Sequence, residues 1–175
     1  MALKAKVKVG RVTNLSEARY CAGMGVDLLG FPVGEDGLKP EQYRQLIEWV
    51  SGPEFVLEAH HSSSSDLKYI TDNYPGHYIE INSSQLDWVT NTDLNFILAV
   101  KPGEAVPGNE NIKFVEVLNW NGEKIKSHSP LLLNTVDVEK ALSLNAGIAL
   151  VGSEEERPGI KDYQLNDILE SLEVD

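Results

Sequence analysis

Four polar side chains interrupt two short apolar segments of the sequence, with a spacing that could support chemistry. Glu58 and His60 are two residues apart, and so are Glu80 and Asn82. Because successive residues of a strand point to opposite faces, each pair shares one face of its strand. A carboxylate with a raised pKa can remove a proton from a substrate, so Glu58 or Glu80 is a candidate general base opposite Lys101. Two cations that follow other apolar segments, Lys101 and Arg11, complete the set of catalytic candidates.

These residues allow three interpretations. Two glutamates and a histidine at one rim could ligate a divalent metal such as zinc. A non-metal small molecule could bind there instead, or the charges could pair as Glu80–Lys101 and Glu58–Arg11 and close an unused mouth. We favour ion pairing, then a ligand site, over a metal, and we expect no metal and no other cofactor. The ligand-binding candidates are Arg11, His60, Asn82, Asn134, Gly152 and Ser153.

Eight short, apolar and often β-branched segments must position these side chains. Helix-like segments separate most of them, and this alternation predicts a parallel sheet with right-handed crossovers. Eight such units are the number that closes a (β/α)8 barrel, in which polar strand residues point into the mouth because the outer face packs under helices. The predicted strands are Val7–Gly10, Leu28–Phe31, Phe55–Ala59, Tyr78–Ile81, Phe96–Val100, Ile112–Leu118, Leu131–Leu133 and Ile148–Val151.

The predicted barrel is compact. A length of 175 residues leaves about 22 for each unit, below the usual size of this fold. The connections 101–111 and 119–130 show no convincing helix, so we expect helices to be missing or reduced after strands five and six. We predict one domain over residues 1–175, a helix capped by Asn14 or Thr13, and a buried Trp49. An open doubly wound sheet is the weaker alternative, since no glycine-rich phosphate loop follows strand one.

Composition and charge narrow the classes of partner. The chain has 15 Lys and Arg against 27 Asp and Glu, a formal net charge of −12, which disfavours nucleic acid and anionic membrane surfaces. One cysteine, Cys21, excludes an internal disulfide framework. No apolar run approaches the ~18 residues of a membrane span, and the first residues lack a signal-peptide core. We therefore expect a cytoplasmic protein.

The two ends of the chain carry motifs that resemble a known family. Residues 8–19 read KVGRVTNLSEAR and residues 25–31 read GVDLLGF, while residues 39–42 read KPEQ and residues 152–162 read GSEEERPGIKD. These segments are similar to motifs of phosphoribosylanthranilate isomerase, an enzyme of tryptophan biosynthesis. The resemblance is strong at both ends and weak between them. It implies a (β/α)8 barrel and a cofactor-free Amadori rearrangement of an aminoaldose to an aminoketose.

The resemblance also implies positions for the reacting groups, and this sequence departs from the family there. A cysteine after strand one is the family's general base, and Gly10 stands at its position. An aspartate after strand six is the general acid, and Asn119 falls at that position, with Glu116 two or three residues earlier. Cys21 lies within the first predicted helix, where a small buried thiol is the expectation.

The family's phosphate site is altered as well. The family binds phosphate through backbone N–H groups of glycine-containing turns after strands seven and eight. Asn134 follows strand seven here without a glycine pair, and Gly152 and Ser153 precede three consecutive glutamates. We therefore predict an isomerase-like barrel without the isomerase activity, which binds a small molecule at its mouth. The alternatives are an active isomerase and an enzyme of another reaction that uses Glu58 or Glu80 as its base.

Reduced helices would also leave strand surface uncovered. If Val115 and Val117 face outward on strand six, a second subunit could cover them, so a homodimer is a further expectation.

Overall fold

Eight parallel strands form a closed barrel in the computed structural model, which describes residues 2–60, 66–152 and 163–174. The strands follow one another around the barrel in chain order, and the first pairs with the last. The predicted (β/α)8 fold is confirmed. The strands are β1 (Val7–Gly10), β2 (Leu28–Pro32), β3 (Glu54–Glu58), β4 (Tyr78–Asn82), β5 (Phe96–Val100), β6 (Ile112–Val117), β7 (Leu131–Asn134) and β8 (Gly147–Val151).

Helices begin where the sequence supplies a capping side chain. Asn14 caps the first of them, since its side chain accepts a hydrogen bond from the Glu17 N–H at 2.9 Å. Asp66 and Asp137 cap two later helices in the same way. The helices are α1 (Leu15–Gly23), α2 (Pro40–Ile47), α3 (Leu67–Asn73), α4 (Val138–Ser143) and α5 (Tyr163–Ser171), with a 3₁₀ helix at Ser83–Val89. In the described ranges no helix is long and apolar enough to cross a membrane.

The connections after β5 and β6 contain no helix, as the sequence predicts. Val115 and Val117 of β6 are nevertheless fully buried. Val106 and Ile125, one from each irregular connection, pack against the same core. The expectation of uncovered strand surface at β6 is therefore wrong, because both valines are enclosed within the single chain. Homodimer formation itself stays a prediction.

The end of α2 also departs from the expectation. The apolar spacing of Tyr43, Leu46, Ile47 and Val50 predicts a helix from Pro40 to Val50, but the helix stops at Ile47. Trp49 therefore lies outside the helical stripe, and its side chain is 66% exposed rather than buried.

Two layers of apolar side chains fill the molecule. The larger one lies between the barrel and its helices and includes Cys21, which is fully buried in it. The smaller one lies inside the barrel and consists of Leu28, Val56, Ile97, Leu132 and Ala149, with Tyr78 and Phe114 packed against it. The inner layer closes the lower part of the barrel, so any site must lie nearer the carboxyl ends of the strands.

Candidate functional site

A buried lysine lies at the centre of the barrel above the inner apolar layer. The Lys8 Nζ atom is 2.9 Å from Glu58 Oε2, 2.5 Å from Glu80 Oε2 and 3.0 Å from Glu116 Oε2. The four side chains come from β1, β3, β4 and β6 and are all buried, with Lys8 1% and Glu80 0% exposed. We call Lys8, Glu58, Glu80 and Glu116 the Lys8 cluster. One ammonium thus faces three carboxyl groups in a volume closed to water.

Alternation along the strands brings these groups together. Lys8 lies between Val7 and Val9, which face the outer core, so its own side chain points inward. Glu58 and Glu80 occupy paired positions of neighbouring strands, and Glu116 pairs with Ala99 of β5. The strand register therefore sets the three carboxyl groups at one level of the barrel, around the lysine.

Two glycines give the Glu58 side chain its space. A Cβ atom at Gly10 would lie 2.6 Å from Glu58 Oε2 and 3.2 Å from Lys8 Nζ. A Cβ atom at Gly30 would lie 2.7 Å from both Glu58 Cδ and Glu58 Oε2. Both distances are too short for real atoms, so neither position tolerates a side chain while Glu58 keeps its place. Gly10 therefore lacks a side chain in a space that a carboxylate already fills.

The upper edge of the cluster is held by backbone and imidazole groups. Arg11 adopts a positive φ of 55°, and its backbone N–H donates to Glu58 Oε1 at 2.6 Å. His60 Nδ1 lies 2.9 Å from Glu80 Oε1. The Asn82 amide donates to the His60 carbonyl oxygen at 3.0 Å and fixes the histidine backbone. We call Arg11, His60 and Asn82 the rim, since they lie at the carboxyl ends of β1, β3 and β4.

Other predicted site residues lie further from the cluster. The Asn134 amide at the end of β7 donates to the Ala149 carbonyl oxygen at 3.3 Å. Gly152 is buried after β8, its N–H donates to the Gly10 carbonyl oxygen at 2.7 Å, and a Cβ there would lie 2.9 Å from Glu17 Oε2. Lys101 is exposed, and its backbone N–H donates to Glu104 Oε2 at 2.8 Å. Ser153 lies outside the described residues.

The predicted ion pairs connect different partners. Lys8, rather than Lys101, supplies the ammonium that contacts Glu80. Glu58 meets Arg11 through the backbone N–H and not through the guanidinium, because the arginine side chain points to solvent. Charges do close the interior, as the ion-pairing interpretation expects, but the cation is inside the barrel rather than on its rim.

Burial and mutual charge shift the pKa values within the Lys8 cluster in opposite directions. Burial opposes ionisation of Glu58, but the Lys8 ammonium and the Arg11 N–H outweigh it and lower the pKa of this carboxyl. Burial and the Glu80 charge raise the pKa of Glu116 to about 8. Burial also raises the pKa of Glu80. The pKa of Lys8 is raised, because its three carboxylate neighbours outweigh the cost of burying its charge.

These shifts assign the protonation states at neutral pH. Lys8 is charged and Glu58 is ionised, while Glu116 carries a proton beside Glu80 on the same ammonium. Burial lowers the pKa of His60, so its ring is neutral there. A neutral ring with Nδ1 facing a carboxylate donates its proton to that oxygen. The lysine is unsuited to attack a carbonyl group, because a nucleophilic amine must be unprotonated.

The zinc interpretation gains no support. Among residues 2–60, 66–152 and 163–174 no group of three or more His, Cys, Asp or Glu side chains has an arrangement that could hold a metal ion. Lys8 explains this, because its ammonium occupies the point on which the three carboxyl groups converge.

Sequence reasoning missed Lys8 and gave Glu116 only a minor role. A signal for Lys8 is present in the sequence, since a lysine between two valines of a strand shares the inward parity of Gly10. Glu116 lies between Val115 and Val117 in the same manner. Asn119, at the position of the family's acid, has a positive φ of 46° and an exposed side chain.

The fold is shared with solved isomerase structures. TrpF from Jonesia denitrificans superposes with a TM-score of 0.73 at 14% identity, with 96% of each chain covered. Phosphoribosyl anthranilate isomerase from Thermotoga maritima gives 0.65 at 15% identity, covering 95% of this chain and 97% of the other. The same kind of isomerase bound to reduced 1-(o-carboxyphenylamino)-1-deoxyribulose 5-phosphate gives 0.64 at 15%, covering 96% and 97%.

Comparison of the sequence alone identifies no relative. No family model matches the chain, and no curated protein matches it either. The likeness is therefore one of structure, and it extends over almost the whole length. The chain has the (β/α)8 fold of the phosphoribosylanthranilate isomerases.

Proposed function

We propose that this chain is an isomerase-like barrel without the isomerase activity and that it binds a small molecule at its mouth, in the cytoplasm. The space at Gly10 is the observation that carries the proposal. The resemblance places the family's proton acceptor there, and in this chain Glu58 Oε2 would lie 2.6 Å from any Cβ atom. A general base must reach the proton that it removes, and a buried carboxylate bound to Lys8 has no such access.

The second position of the resemblance supports the same proposal. Asn119 carries an amide, which cannot donate a proton as a carboxylic acid does. Glu116 does hold a proton at neutral pH, but its side chain is buried against Lys8 and Glu80. Two groups that each contribute about 10²–10⁴-fold to a proton-transfer reaction are thus replaced or enclosed.

The rim supports the binding part of the proposal. Carboxyl ends of barrel strands are where this fold keeps its sites, and the rim there offers a cation, an imidazole and an amide. His60 and Asn82 are fixed by hydrogen bonds or ion contacts to their neighbours, which reduces the entropy that a ligand must overcome on binding. The Arg11 side chain is exposed above them.

Loss of the isomerase activity is testable in cells. A tryptophan auxotroph that lacks the isomerase is expected not to grow without tryptophan when it produces this chain. A known isomerase on the same plasmid serves as the positive control, and immunoblotting confirms soluble production of the chain. Growth equal to that control would overturn the proposal.

Ligand binding is testable on the purified protein. Native mass spectrometry of the parent is expected to show a bound small molecule, or uptake of one from a metabolite extract, that Arg11→Ala loses. Lys113→Ala is the matched control, since Lys113 is exposed near the amino end of β6, far along the strand from the mouth. A parent that carries and takes up no small molecule would contradict binding, as would equal loss in both variants.

A proton-transfer enzyme is the second candidate, and one contact favours it. His60 Nδ1 faces Glu80 Oε1 at 2.9 Å, an arrangement in which a carboxylate orients an imidazole for acid–base work. Glu58 and Glu80 themselves are poorer bases than the sequence suggests, because both contact the Lys8 ammonium. An enzyme activity with a pH profile that shifts in Glu80→Gln would favour this candidate over a binding protein.

A further inference from the structure

Five ionisable groups converge inside the barrel without balancing one another. They are the ammonium of Lys8 from β1, the carboxyl groups of Glu58, Glu80 and Glu116 from β3, β4 and β6, and the His60 imidazole after β3. The Arg11 N–H also faces Glu58. With every carboxyl group ionised and the imidazole neutral, the interior would carry two net negative charges. Charges that lack a partner in a buried site cost several kcal/mol each.

We propose that the Lys8 cluster is a pH-responsive latch, in which one proton held by the Glu80–Glu116 pair keeps the contacts of Glu58 and Glu80 with the rim in place and its release loosens them. The shared proton turns one carboxyl group into a donor for the other, so the pair carries a single charge. Two negative charges then face one ammonium instead of three. The net charge of the buried interior is thereby reduced from two negative charges to one.

The geometry identifies which contacts the proton supports. Glu80 contacts Lys8 through Oε2 and His60 through Oε1, so it links the interior to the rim. Glu58 links the same ammonium to the Arg11 backbone through its two oxygens. When Glu116 ionises, its charge repels both carboxylates, and both rim contacts are weakened.

The direction of the pH effect follows from linkage. Burial and the Glu80 charge raise the pKa of Glu116 to about 8, from about 4.5 in an unfolded chain. Between these values the folded protein holds one proton more than the unfolded protein. The equilibrium constant for unfolding therefore rises up to tenfold for each pH unit in this range, and the effect levels off above pH 8. The contribution of Glu116 to folding stability is therefore fully present below pH 4.5.

Apart from Glu80, which belongs to the pair that holds the proton, the other groups of the site act outside this window or equally in the parent and in a Glu116 variant. The pKa of Glu58 is lowered, so its contribution to folding stability is lost only in acid, as the pH falls below the ordinary pKa of a carboxyl group. The raised pKa of Lys8 keeps its charge to strongly alkaline pH. The lowered pKa of His60 makes its ring neutral throughout the upper part of the window. The difference between the parent and a Glu116 variant therefore isolates the shared proton.

Glu116→Gln provides the test, because glutamine has the shape of a protonated glutamate and cannot ionise. Urea unfolding is measured from pH 5 to pH 9 for the parent, for E116Q and for E110Q, a control at an exposed glutamate. Relative to that of E116Q, the equilibrium constants for unfolding of the parent and of E110Q are expected to rise by up to tenfold for each pH unit up to pH 8. Parallel pH dependence of the parent and E116Q would overturn the proposal.

Two further measurements test the latch directly. Amide exchange at Arg11 is expected to be faster in the parent than in E116Q at pH 9 and equal at pH 6, because its N–H donates to Glu58. Equal rates at both pH values would contradict loosening of the mouth. If E116Q does not fold, carboxyl ¹³C NMR of the parent decides: one glutamate is expected to titrate near pH 8, and titration of every glutamate below pH 6 would overturn the proposal.

Discussion

Replacing Lys8 with methionine is expected to destabilise the protein by about 3–5 kcal/mol at pH 7. Methionine fills a similar volume but removes the charge that the three carboxyl groups of β3, β4 and β6 share. Glu58 loses the partner that keeps it ionised, and burial then forces it to take up a proton or to reach water. The loss equals a large fraction of the total stability of an ordinary domain. The free energy of urea unfolding measures it.

Lys6→Met is the matched control for this prediction. Lys6 lies two residues before Lys8, is exposed, and has its Nζ atom 3.9 Å from Asp27 Oδ1. An exposed pair of this kind contributes about 0–1 kcal/mol, so K6M is expected to unfold near the parent's urea midpoint. The double variant K8M/E58Q removes a buried charge together with its partner and is expected to recover part of the loss. K8M as stable as K6M would contradict the described role of Lys8.

Replacing Gly10 with cysteine, the residue type that the resemblance to the isomerases places there, is expected to destabilise the fold by about 1–3 kcal/mol without conferring isomerase activity. The new Cβ would lie 2.6 Å from Glu58 Oε2, so the carboxylate must leave its place. Its displacement also breaks the hydrogen bond from the Arg11 N–H. Thermal unfolding and the conversion of phosphoribosylanthranilate measure the two effects.

Gly23→Cys is the corresponding control. Gly23 ends α1, and a Cβ atom there would meet nothing within 4 Å. The substitution is expected to leave stability unchanged or slightly raised, since glycine is a poor helix former. G10C with the parent's stability, or G10C with isomerase activity, would show that the space at Gly10 is open and that Glu58 does not fill it.

The sequence predicts the barrel because each strand repeats a short apolar pattern that local physics can identify. Val7–Gly10 and Phe96–Val100 are predicted and observed with the same bounds. The missing helices after β5 and β6 are also predicted, from connections rich in proline, glycine and polar residues. The packing of Val106 and Ile125 against the core is not predicted, because irregular chain has no period from which it would follow.

The site was predicted in part for a similar reason. Parity alone points Glu58 and Glu80 inward, and the structure has both there. Which cation they meet depends on how the strands stagger around the closed barrel, and no local pattern fixes that. Sites of this fold lie at the carboxyl ends of the strands, so the sequence favours Lys101 as the partner of Glu80. In the structure Lys8, which lies deeper in the barrel, contacts Glu80 instead.

Enzyme assay of the purified chain tests the central claim most directly, namely that the barrel's own Glu58 fills the place of the family's proton acceptor. The chain is produced in a host that lacks the isomerase, so no contaminating enzyme contributes, and phosphoribosylanthranilate consumption is followed by fluorescence. The predicted result is a rate equal to the uncatalysed reaction. Turnover that increases in proportion to the concentration of the chain would contradict the claim.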